Sequence, residues 1–414
     1  MPADSISRAV GEPDRPALRR CAPIDPAEFA GRYWGREPLL VRGAPDDFAD
    51  LFSLAAADEL IAERGLRTPF LRIAKDGKVI DKARFTGSGG AGAEIADQVR
   101  DDKVAALFAD GCTLVLQGLH RTWPAVGQLA GQLAADLGHP VQVNAYLTPA
   151  SNRGFSAHYD VHDVFVLQIA GSKRWIVHRP VLAHPLRTQP WNDRSEAVAA
   201  AAGGEPLLDT VLHPGDRLYL PRGYLHSAEA LGGVTAHLTV GMQPVTRYAL
   251  VEALAGLAAS VPELRTSLPL GIDVADPEQL GPHLTETVRA LRDWLASTDP
   301  EQVADRLRAQ TWPKSRPGPV APLAQAAAVA AVDQDTTILV RPRLRHTMRT
   351  DGDEVVLRLP DKQIRLPVST EPALKAALSG QTVRVAELPG LDAGDRLVLA
   401  RRLLRESVCV PARA

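Results

Sequence analysis

From Val141 to Met242 the chain is a succession of short apolar runs broken by glycine and proline. PVQVNAYLT (140–148) alternates apolar and polar positions, the period of a strand with one buried face. VFVLQIAGSKRWIVH (164–178) reads as an apolar strand, a glycine turn and a second strand, which predicts a hairpin. HPGDRLYLPRGYLH (213–226) predicts a strand closed by a Pro/Gly turn, and AHLTV (236–240) a late core strand. Short, regular strands of this kind predict a jelly-roll core, whose alternate side chains surround a pocket.

Upstream, PAEFAGRYWGREPLLVRG (26–43) predicts a short amphipathic helix followed by a strand, with Phe29, Tyr33 and Trp34 as core packing. DDFADLFSLAAADELIAERG (46–65) has helical spacing and a glycine stop. TPFLRIAKDGKVI (68–80) predicts a hairpin around Asp76-Gly77. FTGSGGAGAEIADQVR (85–100) carries a glycine cluster but not the G-x-x-x-x-G-K-[ST] form, so a flexible loop is expected. CTLVLQGLHRTWPAVGQLAGQLAADLG (112–138) predicts a buried strand and a helix.

Downstream the period changes. TRYALVEALAGLAASVPELRTSLPLG (246–271) and PHLTETVRALRDWLASTD (282–299) are helical. Glu286, Arg289, Arg292 and Asp293 mark a solvated face opposite Val288, Leu291 and Leu295. PKSRPGP (313–319) is a linker. The tail mixes strands (TTILVRPRLRHTMR, EVVLRLP, KQIRLP) with helices (EPALKAALSG, DAGDRLVLARRLLRES). The resulting division is a loose arm at 1–20, a β-rich domain at 21–244, a helical domain at 245–312 and a mixed domain at 313–414.

Composition narrows the class. A chain of 414 residues, 45% hydrophobic and 23% charged, is a soluble globular protein of more than one domain. The net charge of −2 gives no global drive toward nucleic acid. Arg341, Arg343, Arg345 and Arg349 make a basic strand segment, but Asp351, Asp353 and Glu354 beside it favour a solvated face, and direct nucleic-acid binding is not expected. Cys21, Cys112 and Cys409 are too scattered for a disulfide framework or a CxxC site. No apolar run suits a signal peptide or a membrane span, so a cytoplasmic location is the default and no membrane partner is expected.

The candidate chemistry centres on His158-Tyr159-Asp160 and His226. Two imidazoles and one carboxylate are the ligand set of the facial triad of non-haem Fe(II) oxygenases. In a strand His158 and Asp160 would share a face while Tyr159 points away. His226 must then be returned by the fold from another strand.

These segments carry a resemblance. YWGREPLLVRG, NAYLTPA, HYDVHDVFVLQIAGSKRW, HPGDRLYLPRGYLH and AHLTVGMQ recur in the order found in the JmjC-type ribosomal oxygenases, the cupin-4 group. The resemblance implies a mainly β fold with α: a double-stranded β-helix, then a helical dimerisation region and a C-terminal winged-helix-like domain. It implies a 2-oxoglutarate-dependent dioxygenase using Fe(II), 2-oxoglutarate and O₂, acting on a protein, with a ribosomal protein as partner and a homodimer as assembly. By the same resemblance His158, Asp160 and His226 are the iron ligands. Lys173 matches the basic residue that pairs with the distal carboxylate of 2-oxoglutarate, and Asn144 and Tyr146 match pocket-lining positions. Arginine hydroxylases of the group carry Arg where Lys173 stands and histidine hydroxylases carry Lys, which favours a histidine target.

His237 and Thr239 share a face of a late strand and are further pocket candidates, and His162 is expected beside the metal ligands rather than among them. The resemblance also sets the glycine loop near the substrate entrance, which makes Arg84 and Phe85 substrate-contact candidates. Two rivals remain: an oxygenase of the same core that tailors a ribosomally made peptide or a small metabolite, and a non-catalytic metal-binding cupin or winged-helix regulator. The intact triad with Lys173 weighs against the second.

Overall fold

The structure is a computed structural model that describes residues 14–75, 77–150 and 156–412. It divides into two units, Met1–Pro244 and Val245–Ala414.

The first unit is built on a nine-stranded sheet. Its strand order is Leu39–Val41, Arg217–Leu220, Asp163–His178, Leu225–Met242, Val141–Thr148, Thr113–Leu116, Leu71–Lys75 and Lys78–Val79, with Leu208–Leu212 paired to the far half of Asp163–His178. The alternation in Val141–Thr148 does what its pattern dictates. Val143, Ala145 and Leu147 enter a core with Leu129 and Leu133 of the helix Pro124–Leu137, and Asn144, Tyr146 and Thr148 take the opposite face. The π-helical turn Phe29–Tyr33 caps the same core, with Phe29 5.7 Å from the Phe165 ring and 5.0 Å from the Tyr219 ring.

Two long strands run side by side through the middle of this sheet. The segment expected to be a hairpin is one continuous strand, Asp163–His178, and both its halves pair antiparallel with Leu225–Met242. Gly171 bends the chain instead of reversing it. Its φ is +62°, and a Cβ there would lie 2.4 Å from the carbonyl oxygen of Val234. The partner strand answers with a register shift between Leu231 and Ala236. The two long strands therefore stay paired on both sides of the bend.

Three further expectations change. The arm ends early: from Pro16 the chain is the helix Pro16–Cys21, with Ala17, Leu18 and Cys21 buried and the Ala17 and Leu18 amides each donating to Asp136 at 2.9 Å. Residues 1–13 lie outside the described residues, as does Asp76 of the expected Asp76-Gly77 turn, although Leu71–Lys75 and Lys78–Val79 do pair antiparallel. The glycine-rich segment is pinned at its ends by pairing of Thr86–Gly87 with Gln98–Val99. Phe85 is 2% exposed within the core, which removes it as a substrate contact; Arg84 is exposed.

The second unit begins with the helices Arg247–Ala258, Pro277–Leu295 and Pro300–Thr311. Asp305 on the third accepts from Arg308 at 2.7 Å and from Arg358 of the strand Glu354–Arg358, tying helices to the strands that follow. Ile338, Leu357, Leu374, Leu399 and Leu403 form the core of that later part. TTILVRPRLRHTMR is not one strand. Thr337–Val340 and Thr347–Asp351 belong to different sheets, and the intervening loop turns through Arg343 at φ +59°. Its arginines therefore do not share a strand face.

Candidate metal centre and its pocket

His158, Asp160 and His226 come together: one ligand atom from each lies within 4.8 Å of the others. The convergence is made by backbone. His158 and His226 form an isolated antiparallel bridge, exchanging N–H···O bonds of 3.2 and 2.8 Å. Such a pair places both side chains on one face. The Gly223 amide donates to the Asp160 carbonyl at 3.0 Å, fixing the turn before His226 against the Asp160 segment. Residues 159–162 are extended loop rather than strand, yet the alternation holds: Tyr159 points away, is 1% exposed and donates its hydroxyl to the Gln189 carbonyl at 3.0 Å.

The rings are oriented for ligation. Nδ1 of His158 sits 2.7 Å from the Ser156 carbonyl, and Nδ1 of His226 sits 3.1 Å from the Tyr224 carbonyl. As donors to those carbonyls, both imidazoles keep a proton on Nδ1 and leave Nε2 with its lone pair. His226 Nε2 is 3.8 Å from Asp160 Oδ2. Burial, reinforced by His158 and partly opposed by Asp160, drives His226 down to about 4, so it is neutral at neutral pH. Burial alone would raise the Asp160 carboxyl, but His162, His226 and His158 together hold it below its usual value. One carboxylate and two imidazoles that present Nε2 fit a divalent first-row cation such as Fe(II).

The other end of the pocket is built for an anion. Lys173 is 3% exposed, and its Nζ has Thr148 Oγ1 at 3.2 Å as its hydrogen-bond partner. Among the described residues no carboxylate offsets its charge, and burial pushes its pKa down to about 8. Lys173 pairs with Ala230 and His226 with Val177 across the same two strands, so the two side chains share one face four ladder positions apart. Between them stand aromatic rings. His237 stacks on Tyr146 at 5.1 Å with 3° between planes and meets the Trp175 ring edge-on at 5.4 Å. Nδ1 of His237, Oγ1 of Thr235 and Nε1 of Trp175 are buried with no hydrogen-bond partner among the described residues. Buried polar atoms in that state are costly unless a ligand meets them.

The remaining candidates divide. Tyr146 and His237 line this face, and Thr239 pairs with Asn144 and Val166 on it. Asn144 has a structural task as well: its side-chain oxygen accepts from the Gly118 amide at 2.9 Å. His162 lies against Gly241, and its charge acts on Asp160. Sequence reasoning missed Thr148, Trp175, Thr235 and Arg72, which hydrogen-bonds the Tyr146 hydroxyl. Three of them carry a signal in the strand period: Thr148 is two residues past Tyr146, Trp175 two past Lys173, and Thr235 two before His237.

Residues 124–250 match the model of the JmjC domain. Over 291 residues it is 32% identical to ribosomal oxygenase 1 of Bos taurus, covering 65% of this chain and 42% of that protein. It is 28% identical over 263 residues to the bifunctional lysine-specific demethylase and histidyl-hydroxylase NO66 of Aedes aegypti, covering 60% of this chain and 39% of that one. The chain thus spans less than half the length of these curated relatives. The Escherichia coli ribosomal oxygenase YcfD shares the fold, with a TM-score of 0.55 at 19% identity over 94% of this chain and 98% of that one. YcfD has also been solved in complex with cobalt and 2-oxoglutarate, and that structure matches with a TM-score of 0.51. The triad, the Lys173 pocket and the long bent strands all fall within the JmjC segment.

Proposed function

We propose that this JmjC protein is an Fe(II)- and 2-oxoglutarate-dependent hydroxylase of a ribosomal protein, with a histidine side chain as target in preference to arginine. The observation that carries the reading is a matched pair of features on one strand face. The convergence of His158, Asp160 and His226 is one, and the buried ammonium of Lys173, uncompensated among the described residues, is the other. With Fe(II), 2-oxoglutarate and O₂ bound, such a centre puts one oxygen atom into a substrate C–H bond and the other into succinate, with release of CO₂.

The chain's own residues supply the rest. His158, Asp160 and His226 hold the metal, and the Ser156 and Tyr224 carbonyls keep the imidazoles turned toward it. Lys173 pairs with the distal carboxylate of the cosubstrate, held by Thr148. Tyr146, His237, Thr235 and Trp175 wall the space between and offer polar atoms to its oxygens. Lysine at position 173, and the histidyl-hydroxylase among the relatives, support a histidine target.

We further propose that the helices of 245–312 form a homodimer interface, since Leu284, Val288 and Leu295 on the helix Pro277–Leu295 are 56%, 54% and 40% exposed. Residues 313–414 are assigned as a winged-helix-like domain, on the strength of their mix of short strands and helices.

The test is mass spectrometry of intact ribosomal proteins from cells carrying the wild-type chain or His158→Ala. One added oxygen on a single protein, lost in the variant, is the expected result, and fragmentation identifies the residue. No difference on any ribosomal protein would remove the ribosome and promote a tailored peptide to first place.

A further inference from the structure

The second unit holds a groove of about 790 Å³ between the helices Pro322–Ala331 and Ala393–Arg405. Its floor is apolar, with Val329, Val398 and Leu404. Its rim is cationic, with Arg341, Arg401, Arg402 and Arg405, and no acidic residue lines it.

Several arginines elsewhere in the unit are neutralised. Arg308, Arg349, Arg358, Arg365 and Arg384 each have a carboxylate within 4.0 Å. Arg401 and Arg405 have no hydrogen-bonded or ion-paired partner among the described residues, and both are exposed. Arg402 reaches Glu406 at 3.1 Å, a carboxylate that Lys362 also holds at 2.9 Å. Arg341 donates to the Gly318 carbonyl, and burial lowers its pKa. A basic last turn suits a helix dipole, which accounts for Arg402 and Arg405. It does not account for Arg341, which arrives from a different segment, directly after the strand Thr337–Val340.

The floor decides which anion fits. Val398 is 64% exposed. A nucleic-acid strand would satisfy the guanidiniums but leave the apolar floor uncovered, and no aromatic side chain lines the groove to stack a base. A peptide with aliphatic side chains between carboxylates covers both, because the planar guanidinium fork accepts a carboxylate bidentately.

We propose that this groove is a docking site for an acidic peptide segment of a partner protein. Aliphatic side chains seat on Val329 and Val398, and carboxylates pair with Arg341, Arg401 and Arg405. The inference does not depend on the oxygenase reading, since the groove belongs wholly to the second unit. It also separates this site from recognition of a basic ribosomal segment, which the same arginines would repel.

The test selects short random peptides displayed on phage against the full chain, with Arg401→Glu/Arg405→Glu as the counter-target. Selected peptides should be acidic and carry at least two aliphatic residues. By fluorescence anisotropy their affinity should fall about tenfold or more in the double variant, a loss of about 1.4 kcal/mol, and should also fall in Val398→Asp. Both arginines are exposed, so the fold should survive, as a melting curve verifies. If it does not, Arg401→Ala/Arg405→Ala replaces the reversal. Three results would overturn the proposal: no enrichment of acidic peptides, equal binding to wild type and variants, or displacement of the peptides by single-stranded RNA at lower concentration than by free acidic peptide. The last would make the groove a nucleic-acid site.

Discussion

Lys173→Met should make the empty protein more stable and the cosubstrate-bound protein less so. In the folded chain burial takes the Lys173 ammonium from its usual 10.5 down to about 8. That difference is about 3 kcal/mol of penalty on the charged form. Met fills the same length of channel without charge. It forfeits the 3.2 Å bond to Thr148, worth about 1 kcal/mol. Thr148 keeps a contact to Thr113 Oγ1 at 3.4 Å, so its hydroxyl is not abandoned. The net expectation is a gain of about 2 kcal/mol at pH 7 for the empty variant. The pH dependence has a definite sign. Below pH 8 the lysine is protonated folded or unfolded, and the fold bears the whole penalty. Between pH 8 and 10.5 only the unfolded chain keeps the proton, so stability rises with pH, and above 10.5 the penalty is gone. Lys173→Met should abolish that rise. With Mn(II) in place of Fe(II), 2-oxoglutarate at a hundred times its Kd should add about 2.7 kcal/mol to wild type and almost nothing to the variant. Calorimetric melts with and without the cosubstrate, from pH 7 to 10, read all of this. An empty variant less stable than wild type, or one still stabilised by 2-oxoglutarate, would refute the account of Lys173 as a buried charge awaiting its counterion.

Three other outcomes are expected. Asp160→Ala should abolish tight Mn(II) binding in titration calorimetry while the far-ultraviolet circular dichroism is unchanged, because Asp160 lies in a loop beside the sheet rather than in a strand. Gly171→Ala should destabilise the first unit by roughly 1–3 kcal/mol, read as a lower urea midpoint, since φ is +62° and the new Cβ would press on the Val234 carbonyl. Val288→Asp should convert a dimer to a monomer in sedimentation velocity without lowering the melting temperature, because this side chain is 54% exposed in the single chain.

The candidate site was more legible than the fold around it. A metal site needs particular atoms, and few residue types supply them, so His158, Asp160 and His226 stand out in any strand pattern. The resemblance supplied Asn144 and Tyr146, and period-two alternation from them could have added Thr148. The Ser156 and Tyr224 carbonyls that turn the imidazoles could not be found, because a carbonyl has no letter of its own. Arg72 comes from a strand over seventy residues upstream of Tyr146, and no local rule links the two. Phe85 misled because its position was inferred from a neighbouring glycine cluster, whereas its own apolar ring was the better guide and sent it to the core.

The hairpin error is the most instructive, because it bears on how the pocket holds its two ends apart. A glycine between two apolar runs signals a reversal when the turn residues can close a two-residue loop. Here Gly171 stands alone, and the partner strand is long enough to accompany both halves. The chain therefore bends within the sheet. One strand then begins beside Asp160 and carries Lys173 just past the bend, while its partner begins at His226 and carries Thr235 and His237 past the register shift. The partner strand supplies His226, Thr235 and His237, and Asp163–His178 supplies Lys173, while Asp160 stands in the loop just before it. A one-residue insertion in the straight part of either strand would turn its pocket residues to the outer face. The same insertion within 232–235, where the partner strand has already left the ladder, can be absorbed by the bulge. The spacing between His226 and Lys173 is thus set by four unbroken ladder positions of two continuous backbones on one side of the bend, not by a loop.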